Sequence, residues 1–411
     1  MIIAIAVAAI LVVAGCAFFL LSGNEKRDTS VSVLAKVNAE GSGIFCKYPA
    51  VVDASGDLTM IEVGGVSIGV PAIDRNGNGN DDSPAHGWGG LSFMTPGAGS
   101  IQHEMLKTLA GKLGLDFVSG TGSDTSKLYW TATPPGQMST FYTSAAGSGI
   151  DGGITWEPWY SSIVAQYSGE VAKKAYSIAM SGTIEAGHPC CMIVGNNAFV
   201  NDNEELVLRF LLAYMEAVDW VIDAKDKGKT SPEGQKLIEI ARETSFTPDS
   251  NPTDDTIWAA LTNTTYDYEI TGLKAYVAEL VERFEDSGAI TETVSNPTAF
   301  ANKLINEGPL NAAKAVTDVD DYKNPAKAVG TIRLGALAND LHQIAVRAAM
   351  MKGTIDTDQP NKSLFDIYGV NIDLKALQQN GPGVMNLFAL NEIDIGVLGL
   401  PPTVIRVANG L

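Results

Sequence analysis

Positive charge is what this sequence has least of: 28 Lys and Arg stand against 47 Asp and Glu, a formal net charge of −19. No basic run is longer than two residues. That excludes a nucleic-acid surface, because phosphate binding needs clustered Lys and Arg. Cysteine is scarce too, with four in 411 residues. Their spacing along the chain resembles no zinc site. Cys16 lies in an apolar run, while Cys46, Cys190 and Cys191 sit in apolar, strand-like segments. They read either as buried free thiols or as a bridge from Cys46 to Cys190 or Cys191. No nucleophile–base pair can be picked out, so neither a catalytic residue nor a cofactor is expected.

What is there points to an α/β protein. With 45% hydrophobic residues, 42 glycines and 18 prolines, the chain can bury a large core, and its turns suit two lobes rather than a helical bundle. Residues 1–21 are continuously apolar, just long enough to cross a hydrocarbon core of about 30 Å. Val13-Ala14-Gly15-Cys16 matches a lipoprotein cleavage box, with Cys16 the lipidated residue. No Lys or Arg precedes the run, and it stays apolar after Cys16, as in an uncleaved anchor. Both readings tether residues 1–29 to the membrane and put the rest on its extracytoplasmic face.

The end of the chain reads like a beginning. Residues 331–337 form an apolar strand, followed by the turn Asn339-Asp340 and an amphipathic helix through Leu341, Ile344, Ala345 and Ala348. A strand alternating at Val370, Ile372 and Leu374 leads to a short helix near Met385. A third strand, residues 393–399, runs into Pro401-Pro402, a pair suited to the first turn of a helix. This is a doubly wound unit whose ligands sit at the carboxyl ends of its strands, so Asn339, Asp340, His342, Pro401 and Pro402 are candidate contacts. Gly-Ala-Leu-Ala-Asn-Asp-Leu-His-Gln and Ile-Asp-Ile-Gly-Val-Leu-Gly-Leu-Pro-Pro also resemble the opening lobe of ABC-importer solute-binding proteins of the nitrate/sulfonate/taurine type. That family places the unit first, and here it is last. Residues 31–47 resemble the strand pair that follows it in the family, so the resemblance implies a circular permutation in which Leu411 leads into Ser30.

Between these ends, residues 30–90 are expected to supply strands of the first lobe and a crossover. Asp74, Asn76, Asn78, Asn80 and Asp82 alternate along a loop with Gly79 sixth, which suits one structural calcium ion, although Ala85 stands where a bidentate Glu would be. A solvated Asn/Gly turn is the competing reading. Residues 91–187 form the second lobe. There the turn holding Gly97, Gly99 and Ser100 opens a helix and leaves N–H groups for an anion. His103 reads as a satisfied histidine on that helix's surface. The small residues Gly152-Gly153 let a strand pass close to its neighbours and deliver Trp156 and Glu157 to its end. Residues 188–330 return to the first lobe and continue in helices.

The resemblance implies a type II periplasmic-binding-protein-like fold of two lobes. Its implied function is a receptor that closes by a hinge on a small molecule, with an ABC permease and ATPase as partners. Gly99, Ser100, Gln102, Trp156 and Glu157 would be the second lobe's contacts. The ligand class spans sulfonates, taurine, nitrate and thiamine-precursor pyrimidines. Asp340 and Glu157 would repel a bare anion, which favours a ligand with a cationic or hydrogen-bond-donating end. Two other readings stay open: an enzyme like the thiamine-pyrimidine synthases, suggested by His188-Pro189-Cys190-Cys191, and a sensor or surface structural protein that kept the fold.

Overall fold

Two mixed sheets organise the chain, one in each of two units. The computed structural model describes residues 29–49, 60–63, 66–69, 71, 87–169, 173–247 and 250–411. The expected anchor, Cys16 and the loop with Asp74, Asn76, Asn78, Asn80 and Asp82 lie outside the described residues. Among the described residues, no helix is long and apolar enough to cross a membrane.

The first unit comprises the chain up to Asn38, Pro189–Ser245 and Tyr266–Leu411. Its sheet has the order Val31–Lys36, Cys191–Asn196, Ile395–Gly399, Gly330–Gly335, Val370–Leu374. The last three strands are mutually parallel, and the first two join antiparallel. Ile332, Leu334, Ile395 and Val397 are fully buried, which is why these strands read as apolar runs. The outer strand Val31–Lys36 does not leave its edge open, because Asn306 N–H donates to Val33 O at 2.9 Å. Helix Glu204–Lys227 carries Glu204 and Glu205 in its first turn and Lys225 and Lys227 in its last, matching its dipole. Its Phe210 stacks on Phe365 at 5.1 Å, and its buried Arg209 donates to the carbonyls of Tyr322 and Tyr368 at 2.5 and 3.4 Å.

The second unit comprises Ala39–His188 and Phe246–Thr265. Its sheet runs Tyr176–Met180, Ser42–Cys46, Gly152–Trp156, Ser92–Thr95, Lys127–Ala132, Asp116–Ser119. Again the last four are parallel and the first two join antiparallel. Two sequence-based boundaries are thereby corrected. The chain enters the second unit at Ala39 rather than near residue 90, because Ser42–Cys46 pairs with Gly152–Trp156. Residues 246–265, expected in the first lobe, also belong here.

His103 is corrected as well. It is 4% exposed, with Trp130 and Phe117 edge-on at 4.4 and 5.2 Å and Thr95 Oγ1 at 3.1 Å from Nδ1. Burial, helped by nearby Lys107, lowers its pKa to about 4. The folded protein therefore resists protonation that the unfolded chain accepts near pH 6.5. The stabilisation is complete above about pH 6.5 and is lost as pH falls towards 4, by up to about 3 kcal/mol. His103→Gln should flatten the fall in melting temperature between pH 7 and 4.5; an unchanged slope would assign that fall to the carboxylates.

Candidate functional site

In the first unit, Gly330–Gly335 and Ile395–Gly399 run parallel, so their carboxyl ends share one edge of the sheet. Cys191–Asn196 runs the other way and sets Cys191 opposite Gly399, so it starts at that same edge. Asn339 is left-handed at φ 50°, a conformation asparagine tolerates, and turns the chain into Asp340. The Asp340 carboxylate caps the 3-10 turn Leu341–Gln343, accepting from His342 N–H at 3.1 Å and from Gln343 Nε2 at 2.9 Å. Gln343 is fully buried; its Nε2 also reaches Val397 O at 3.2 Å, and its Oε1 accepts from Leu337 N–H at 3.2 Å. One side chain thus ties both strand ends to Asp340. Tyr266 Oη adds a bond to Leu341 O at 3.2 Å.

Against this turn lie two thiols. His342 Nδ1 is 3.5 Å from Cys190 Sγ, 3.7 Å from Cys191 Sγ and 3.5 Å from Asp340 Oδ1, and Cys191 Sγ is 4.0 Å from Asp340 Oδ2. All four residues are buried, at 1 to 5% exposure. Adjacent residues of a strand point to opposite faces. Cys190 precedes the strand, however, and both sulfurs reach the same imidazole. The hydrogen bond from Cys191 draws the Cys190 pKa below its usual value, with His342 helping, and the same bond together with burial pushes Cys191 well up. Leu400 N–H donates to Cys190 O at 2.8 Å, which sets the first turn of helix Leu400–Ala408, with Pro401 buried and Pro402 half-buried, beside the pair.

The second unit gathers its candidates at the carboxyl edge of its own sheet. Gly97 and Gly99 adopt φ 111° and 86°, and Ser100 caps helix Ile101–Lys112, donating to Gly97 O at 2.8 Å and accepting from His103 N–H at 3.2 Å. Gln102, 2% exposed, donates to Ser42 Oγ at 3.0 Å, and Ser42 pairs with Trp156 in the ladder. Trp156 is half-buried. Glu157 is fully buried and accepts from Ser161 N–H, Ser161 Oγ and Asn263 Nδ2 at 3.1, 2.8 and 2.8 Å.

Sequence reasoning missed Gln343, Ser42, Asn263 and the cysteine pair as parts of these sites. Of the two readings of the cysteines, buried free thiols is the one the structure bears out. Cys46, Cys190 and Cys191 are free and buried, so no bridge links them; burial pushes the Cys46 thiol up to about 12. And although no zinc spacing exists along the chain, Cys190, Cys191 and His342 place one donor atom each within 4.8 Å of one another. The adjacency of the two cysteines was the available signal.

A model of the NMT1-like family matches residues 5–231, more than half of the chain. The chain belongs to the NMT1-like family. That membership agrees with the resemblance to nitrate/sulfonate/taurine-type solute-binding proteins carried by residues 331–411. No curated protein matches the sequence. Among solved structures, the chain is similar to the ligand-binding component of an ABC-type import system from Staphylococcus aureus, solved with zinc bound. The identity is 12%, covering 70% of this chain and 76% of that one, with a TM-score of 0.40. It is also similar to the periplasmic nitrate-binding protein NrtA from Synechocystis PCC 6803, at 16% identity over 74% of this chain and 70% of that one, with a TM-score of 0.45.

Proposed function

We propose that this protein is the extracytoplasmic solute receptor of an ABC importer, tethered through residues 1–29 and handing a small molecule to a permease. Family membership supports the reading. The observation that carries it is the repeated layout: each unit ends two parallel strands at an edge where a capped helical turn presents polar side chains, Asp340 and His342 in one, Ser100 and Gln102 in the other. A circular permutation accounts for the strand order. The three parallel strands of residues 330–399 lie in one sheet with Val31–Lys36, the strand the family would place next.

Asp340 gives the first unit's edge a buried carboxylate, which favours a solute with a cationic or donating end. A thermal-shift screen should therefore raise the melting temperature with taurine or an aminopyrimidine and leave it unmoved with nitrate. Stabilisation by nitrate alone would reverse the ligand class, and no shift with any member would remove the receptor reading.

A further inference from the structure

Two thiols and one imidazole converge in the first unit. We propose that Cys190, Cys191 and His342 form a site for a single zinc(II) ion, with Asp340 as the neighbouring oxygen. Zinc–sulfur and zinc–nitrogen bonds of about 2.3 and 2.0 Å at a tetrahedral angle place sulfur and nitrogen about 3.5 Å apart. The distances from His342 Nδ1, 3.5 Å to Cys190 Sγ and 3.7 Å to Cys191 Sγ, are the edges of such a polyhedron. Asp340 Oδ1 stands at 3.5 Å from the same nitrogen, beside the three donors. Hydrophobic packing of two thiols does not require an imidazole nitrogen to face both sulfurs.

The donors come from two chain segments about 150 residues apart, 152 between Cys190 and His342. Both segments are held independently of any ion. Asp340 caps the turn that carries His342, and Gln343 ties that turn to two strands. Cys191 begins a strand whose partner is Ile395–Gly399. A site built on strand ends needs little ordering when the ion arrives. Both sulfurs would bind as thiolates, releasing their protons, and the divalent cation offsets the charge they then carry in a buried region. The sulfur pair and single imidazole suit zinc over calcium or magnesium, which take oxygen ligands.

The inference does not rest on the receptor reading, and its test uses no solute. The full chain, kept reduced with a phosphine, is titrated with Co2+ as a spectroscopic stand-in and then with Zn2+. One equivalent of Co2+ should produce thiolate-to-cobalt absorption in the near ultraviolet, and one equivalent of Zn2+ should abolish it. Cys191→Ser and His342→Gln should each weaken Co2+ binding by at least about 10-fold. Cys46→Ser, whose thiol lies in the second unit, should leave binding unchanged. Should the first two variants fail to fold, the spectrum and stoichiometry of the unaltered chain still decide. Weak octahedral Co2+ bands without thiolate absorption would overturn the proposal, as would equal loss of binding in Cys46→Ser.

Discussion

Gly152→Ala is expected to cost the second unit about 3 kcal/mol or more, because the added carbon has nowhere to go. A Cβ at Gly152 would lie 2.0 Å from the backbone oxygen of Phe45, 2.8 Å from the Phe93 ring and 3.0 Å from Cys46 Cα. Two of those three obstacles are backbone of the strand paired with it, since Cys46 lies opposite Gly152 in the antiparallel ladder. Moving a side chain cannot relieve such a clash, so the two strands must part, and Gly152–Trp156 also pairs with Ser92–Thr95 on its other side. The same substitution at Gly111 should act in the opposite direction. Gly111 lies in helix Ile101–Lys112, exposed, with nothing within 4 Å of a new Cβ. There alanine should stabilise by about 0.5 to 1 kcal/mol, since glycine is the costlier residue in a helix. Chemical denaturation followed by tryptophan fluorescence would report both. A Gly152→Ala protein melting within about 2 °C of the unaltered chain would show that the strand spacing is not as described.

That result concerns a feature the sequence announced. Two adjacent glycines before Trp156 can be read as a close strand contact, because only a missing side chain explains two of them inside an apolar run. The parallel strands of residues 330–399 were legible for a related reason. Alternation at Val370, Ile372 and Leu374, and the runs at residues 331–337 and 393–399, are local patterns fixed by whether one or both faces of a strand are covered. What stayed hidden was long-range. Nothing near Ser42–Cys46 tells it to pair with Gly152–Trp156, so the crossing between units was placed some fifty residues too late. His103 falls off the apolar stripe of its own helix, and Trp130 and Phe117, from strands further along the chain, pack against it. The cysteine pair shows the limit most clearly. Metal-ligand spacing rules read donors within one loop or helix, whereas His342 reaches Cys190 and Cys191 only through the antiparallel pairing of Cys191–Asn196 with Ile395–Gly399.

Glu157 marks where a legible motif leaves its role undecided, and its replacement should separate the two roles. The strand end carrying Trp156 and Glu157 offered Glu157 as a ligand contact, yet its carboxylate is fully buried and engaged within the second unit. Ser161 N–H lies in the first turn of helix Trp159–Gln166, so Glu157 supplies the side-chain acceptor that Pro158, at the cap position, cannot. Asn263, 106 residues further on, binds the same oxygen that accepts from Ser161 Oγ, which fastens the segment 246–265 to this turn. Glu157→Ala would strip acceptors from three donors at once and should cost about 3 kcal/mol. Glu157→Gln keeps the shape and one acceptor oxygen, and should cost about half as much. If the carboxylate serves the fold, both variants melt earlier while a bound solute still raises their melting temperatures by the same increment as in the unaltered chain. If it serves the ligand, the increment shrinks and the solute-free melting temperature of Glu157→Gln stays put. The fully buried position and three internal donors favour the first outcome.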